Sequence, residues 1–172
     1  MIRSQVTLAI LCSMVLPCEA ADIKVAQAEG KTAIVTVVGP IEPGDGARFA
    51  LAVKGLGRAI VILNGRGGDP REGEVLGAEA GSRDMGTYVG AKADCTGACA
   101  LAWLGGGRRY MERGARLGLA PGASDAYLRA AALPAGAVAY VRDAPSDGSR
   151  VIDLDGARRL GIPVVDAYAG KD

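Results

Sequence analysis

CTGACALAWLGGG, residues 95–107, joins a sharp turn to a short apolar helix that the glycine run Gly105 to Gly107 brings to an end. In α/β enzymes a strand–turn–helix junction of this kind lifts a nucleophile out of the sheet. Here the apex residue is Gly97, which has no side chain to lift. Glycine tolerates the strained backbone of such a turn better than any other residue, so the turn keeps its shape whether or not it carries chemistry.

Working outward from that turn, strand-like and helix-like signals alternate. Upstream, TAIVTVVGPI (Thr32 to Ile41) is β-branched and almost continuously apolar, which predicts a strand buried on both faces. GDGARFALAVKGLG follows, with Phe49, Val53 and Leu56 on one helical face, Asp45 placed to cap it and Gly57 just past its end. AIVIL (Ala59 to Leu63) is a second buried strand running into NGRGGDPREGEVLGAEA, where Asp69, Pro70 and Glu72 have capping-box spacing. MGTYVGA predicts a third strand. Downstream, RRYMERGARLGLA reads as a hairpin or two short strands, SDAYLRAAAL as a helix capped by Ser124, and GAVAYVR as an apolar segment of open type. DGARRLG reads as a short helix stopped at Gly161, before a terminal strand IPVVDAY. Alternation of this kind implies an α/β domain with a mostly parallel sheet.

The first twenty residues stand apart. MIRSQVTLAILCSMVLPCEA has a cation at Arg3, an apolar run from Val6 to Leu16 and a small residue at Ala20, the pattern of a secretory leader removed after residue 20. The run is well short of the roughly 20 apolar residues needed to span a bilayer, and Pro17 beside Cys18 argues against a lipid-bearing cysteine. Residues 21–172 then form a single domain, the protein is periplasmic or secreted, and no membrane span remains after cleavage. The 20 basic and 19 acidic residues are interspersed and leave a net charge of +1, which gives no electrostatic footprint for nucleic acid. The 26 glycines and 8 prolines fall between apolar segments, where they act as punctuation and do not form a disordered block.

A second glycine loop carries a further signal. LNGRGGD sets Gly67 and Gly68 at a strand-to-helix turn, where backbone N–H groups can approach a carbonyl and form an oxyanion hole. The same glycines could instead close a tight turn or cradle an anion. Taken together, ILNGRGGDPREGEVLG, CTGACALAWLGGGRR and ARLGLA resemble the Clp protease proteolytic subunit and crotonase-like superfamily, and in particular its small periplasmic group. The resemblance runs from about Ile34 to Ala120, with a weaker tail to about Val165. It implies a spiral of ββα units with a mostly parallel sheet.

Carried over residue by residue, the superfamily's nucleophile position falls on Gly97 and its general-base position on Ala120, so both reactive side chains are missing. The chain contains no histidine at all, so no neighbouring residue can slip into the second role. Loss of such a serine or histidine costs about 10⁶ in turnover and leaves roughly 10³ to 10⁴ over water. The expectation is therefore a catalytically degenerate module that binds peptide or protein in the former active-site groove. Two other readings stand beside it: a hydrolase with a non-standard nucleophile and base, Thr96 and Lys92, after the serine–lysine pairs of signal peptide peptidases in the same superfamily, or a structural subunit of a homo-oligomer.

Cys95 and Cys99 are the cysteines left after leader removal. Within one helix their Cβ atoms would stand roughly 5–6 Å apart, too far for a disulfide, so pairing requires Cys95 to precede the first helical turn. An oxidising compartment favours the disulfide over two buried thiols. Two cysteines without histidine cannot complete a zinc shell, so no metal is expected. No cofactor is expected either, because an acyl-CoA site would suit the scaffold but an exported chain would rarely meet that coenzyme. Arg108, Arg109, Arg113 and Arg116 read as a solvated basic face, or as a site for an acidic partner or a cofactor phosphate.

Overall fold

A computed structural model of the chain describes residues 20–27, 32–147 and 149–168. Apart from Ala20, the expected leader lies outside the described residues. The elements run β1 (Asp22–Gln27), β2 (Ala33–Val38), α1 (Asp45–Ala52), β3 (Ala59–Asn64), α2 (Pro70–Ser82), β4 (Gly86–Val89), β5 (Asp94–Thr96) and α3 (Ala98–Gly105). They continue β6 (Arg108–Met111), β7 (Arg116–Leu119), α4 (Asp125–Ala130), α5 (Ala135–Arg142), β8 (Arg150–Ile152), α6 (Leu154–Arg159) and β9 (Val165–Asp166).

Two sheets result. The larger has the order β1-β2-β3-β4-β6-β9 and is parallel except for β1, which runs antiparallel to β2. The smaller has the order β5-β7-β8, with β5 parallel and β8 antiparallel to β7. RRYMERGARLGLA is therefore two strands in different sheets and not a hairpin, because residues 112–115 carry the chain from one sheet to the other. The segment of open type, GAVAYVR, is helical as α5.

α3 is the buried axis, and every residue from Ala98 to Gly105 is buried. It packs against α2 and reaches β3, β4, β5 and β7. Close approach of the two helices depends on a glycine stripe on α2. A Cβ on Gly73 would lie 2.4 Å from the Ala98 carbonyl oxygen, and one on Gly81 would lie 2.4 Å from that of Gly105. The polar atoms of this core are paired: the Trp103 indole N–H donates to the Tyr110 carbonyl at 3.0 Å, and the Thr87 hydroxyl to the Trp103 carbonyl at 2.8 Å.

Three local expectations change. β2 is not buried on both faces: Ala33, Val35 and Val37 are buried, whereas Ile34 and Thr36 are only half-buried and Val38 is 45% exposed. Only one face of that strand turns into the core, so the apolar run reports β-propensity as well as burial. The Asp69 carboxylate caps α2 by accepting from Arg71 N–H at 2.8 Å, but Glu72 does not complete a capping box. Its carboxylate accepts from Gly46 N–H at 2.8 Å and ties α2 to the start of α1. Asp45 does not cap α1 either. Gly44 holds that position, and the buried Asp45 carboxylate accepts from the backbone N–H groups of Ala21 and Glu42.

Candidate functional site

The loop after β3 and the turn after β5 meet in space, stitched by backbone. Gly65 N–H donates to the Asp94 carbonyl at 2.7 Å, Thr96 N–H to the Gly65 carbonyl at 3.1 Å, and Ala98 N–H to the Gly67 carbonyl at 3.2 Å. Side chains reinforce the seam: Asn64 Oδ1 accepts from Asp94 N–H at 2.9 Å, and Arg66 pairs with the Asp94 carboxylate. Gly65 has to be glycine, because a Cβ there would sit 1.9 Å from the Gly39 carbonyl oxygen. Gly68 is constrained in the same way by the backbone of Ile41, whose carbonyl oxygen would lie 2.3 Å from its Cβ.

Gly97 occupies the apex, with φ +59° and ψ −120°. Its N–H donates to the Gly118 carbonyl at 2.9 Å, which anchors the turn on β7, and its own carbonyl accepts from Leu101 N–H at 3.1 Å. A Cβ built on Gly97 would point at Gly67, 3.2 Å from its Cα. Ala120 lies just past the end of β7, half-buried, with a methyl group where the resemblance places a base. The elbow and the glycine loop therefore share one corner of the molecule, Ala120 follows the strand that anchors the elbow, and neither Gly97 nor Ala120 offers a nucleophile or a proton acceptor.

The donors around the apex are turned inward. Gly67 N–H donates to Thr96 Oγ1 at 3.1 Å, and Ala98 N–H, the first amide after the apex, donates to the Gly67 carbonyl. An oxyanion hole needs N–H groups aimed together at a substrate oxygen, and here two of the nearest are committed to protein acceptors. Among the described residues Gly68 N–H makes no hydrogen bond, and Gly68 is exposed. Thr96 itself is half-buried and is held as the acceptor for Gly67, while Lys92 is exposed on the turn before β5.

Cys95, at the centre of β5, and Cys99, in the first turn of α3, stand on either side of the apex at disulfide distance, with Sγ atoms 2.04 Å and Cα atoms 5.2 Å apart. Cys95 lies before the helix begins, as pairing requires. Both are buried, so the link staples the elbow from within.

A groove of about 370 Å³ runs beside this corner, lined by Lys92, Asp94, Thr96, Arg116, Gly118 and Val151. Arg116 also borders an adjoining hollow of about 690 Å³ that holds Arg113 and Arg158. Sequence reasoning missed this use of Arg116, because only the fold sets β7 beside β5. The basic cluster is not a single solvated face: Arg109 is 7% exposed, and its guanidinium donates to the Leu104 carbonyl at 2.7 Å and the Ala131 carbonyl at 2.8 Å. Burial pushes its pKa down, and two helix-end carbonyls keep the charge hydrogen-bonded. Arg113 pairs with Asp166 at 2.8 Å and holds that carboxyl below its ordinary range. Among the described residues no group of three or more His, Cys, Asp or Glu side chains is placed to hold a metal ion, and no helix is long and apolar enough to cross a membrane.

No family model matches this chain, and no curated protein matches it by sequence. Solved structures do match. An enoyl-CoA hydratase/isomerase family member aligns with a TM-score of 0.63 at 14% identity, covering 86% of this chain and 71% of that one. DspI of Pseudomonas aeruginosa aligns at 0.59 with 15% identity, covering 93% and 79%. ClpP1 of Listeria monocytogenes aligns at 0.57 with 11% identity, covering 81% and 94%. The chain therefore has the ClpP/crotonase-like fold, a mixed α/β arrangement with a mostly parallel central sheet.

Proposed function

We propose that this protein is an exported, catalytically degenerate binding module that holds a peptide or protein segment in the groove beside Thr96, Gly118 and Arg116. One observation carries the reading: at the apex of an otherwise complete elbow there is a glycine, and the amides around it are spent on the protein's own acceptors. With neither nucleophile nor base, and with the N–H groups of Gly67 and Ala98 occupied, even the residual rate that an oxyanion hole alone supplies is not expected here.

Binding draws on other groups. Lys92 and Arg116 are exposed on the groove and suit a ligand with acidic side chains or a free carboxylate. Gly67, Gly68 and Gly97 are not among the residues that line the groove. A bulky block at Gly68 would collide with Ile41, so charge reversal is the cleaner probe. Capture from periplasmic extract with wild-type protein should yield a partner that Lys92→Glu/Arg116→Glu loses while the fold persists. Equal capture by both proteins would count against the groove.

The hydrolase reading makes a contrary prediction: a fluorophosphonate probe would label Thr96 in the native protein. The homo-oligomer reading draws on the half-uncovered face of the large sheet, where Thr36, Ile62, Tyr88, Tyr110 and Val165 lie side by side in register. Light scattering would return a multiple of the protomer mass if a second copy covers it.

A further inference from the structure

The most deeply buried carboxylate among the described residues lies away from the elbow. Asp45 is 1% exposed, and its carboxylate accepts from Glu42 N–H at 2.8 Å, from the Arg48 guanidinium at 2.5 Å and from the backbone nitrogen of Ala21 at 2.9 Å. Ala21 is equally buried, at 1%, whereas Ala20 is exposed. Ala21 is also the first residue after the expected leader cleavage. Cys18 and Ala20 supply the small residues that a processing peptidase requires around such a bond.

We propose that Asp45 is the built-in receptor for the amino terminus released by processing, so that the α-ammonium of Ala21 and the Asp45 carboxylate form a buried ion pair that the precursor lacks. The proposal rests on the export reading above. Hydrolysis of the Ala20–Ala21 amide consumes one water; the carboxylate leaves with the leader, and the amine, protonated at neutral pH, stays on the chain. Before cleavage Ala21 contributes a neutral amide N–H, and the cation that pairs with the Asp45 carboxylate is the Arg48 guanidinium. After cleavage the α-ammonium of Ala21 adds a second cation at the Asp45 carboxylate while keeping the N–H that the carboxylate already accepts. The Arg48 partner is 52% exposed and screened by solvent, so a second, buried cation strengthens the hold on this carboxylate only in the processed chain and couples maturation to stability.

Two measurements test the export reading and the pairing separately. The mass and amino-terminal sequence of protein recovered from the periplasm should begin at Ala21, and a different first residue would overturn the proposal. Independently, a chain released from a fusion so that it begins at Ala21 is compared with the same chain preceded by Ala20 and with its Nα-acetylated form. The free amine should raise the folded-to-unfolded ratio by roughly tenfold to hundredfold over both, and Asp45→Asn should abolish the difference. Equal stability of the three chains would overturn the pairing even if the processing site is right. Should Asp45→Asn fail to fold, amine-reactive acylation of the native wild-type chain decides. Protection of the Ala21 amine relative to the unfolded chain supports the ion pair, and labelling at the unfolded rate refutes it.

Discussion

The elbow around Gly97 and the corner around Asp45 are both buried, yet they hold opposite halves of what an active site combines. At the elbow the backbone geometry is present, with φ +59° at the apex, a disulfide-distance pair across it and the Gly65–Gly67 seam alongside. No ionisable side chain points from its apex. At the α1 corner a carboxylate is withdrawn from water and bound by three donors, and no space remains for a substrate. The shape of an elbow is therefore poor evidence for its chemistry, and a buried charge is poor evidence for catalysis when both carboxylate oxygens already accept hydrogen bonds.

The largest effect should come from the charged corner. Asp45→Ala leaves the Ala21 and Glu42 amides without their acceptor and Arg48 without its partner, and should cost about 3–5 kcal/mol in denaturant unfolding. The glycine seam should respond next. Gly65→Ala forces a Cβ against the Gly39 carbonyl, an overpacking expected to cost about 3 kcal/mol, with disorder spreading to residues 94–98 in hydrogen exchange.

How much of this was legible in the sequence differs between the two regions. The elbow could be read because glycines at an apex and in a neighbouring loop are local signals with a local mechanism, and the helix Ala98–Gly105 ends at the glycine run quoted at the outset. The inward turn of the Gly67 and Ala98 amides could not, since it depends on the Thr96 hydroxyl reaching across from a strand 29 residues away. β1, β5 and β8 were missed for a related reason: three-residue strands such as β5 and β8 have too little alternation to register, and β1 carries polar residues on its exposed side. The Asp45 carboxylate looked like a helix cap because sequence spacing shows α1 but not the returning chain at Ala21.

Smaller effects sharpen the contrast at the elbow itself. Gly97→Ser places a side chain at positive φ and 3.2 Å from Gly67; it should cost about 1–3 kcal/mol and yield no peptide hydrolysis, because no base faces it. Combining it with Ala120→His supplies the missing proton acceptor, and measurable cleavage only in the double variant would place the two positions in one catalytic geometry. Thr96→Val removes the acceptor for Gly67 N–H and should cost about 1 kcal/mol in denaturant unfolding.

The smallest effect concerns pH. The Arg113 hydrogen bond holds the Asp166 carboxyl below its ordinary range, with the Tyr168 amide adding to it. A depressed folded-state value contributes stability above the unfolded value of about 3.9 and loses it as pH falls through the folded value. Arg113→Gln should therefore lower neutral stability slightly and flatten the acid limb below about pH 4. An unchanged acid limb would mean that the pair has no thermodynamic weight.

The central claim, an elbow with nothing to attack or to move a proton, is tested most directly by treating the native processed protein with a fluorophosphonate probe and mapping any adduct by mass. The account predicts no labelling beyond that of the heat-denatured control. Stoichiometric modification of Thr96, or of any serine beside the Lys92–Arg116 groove, would contradict it.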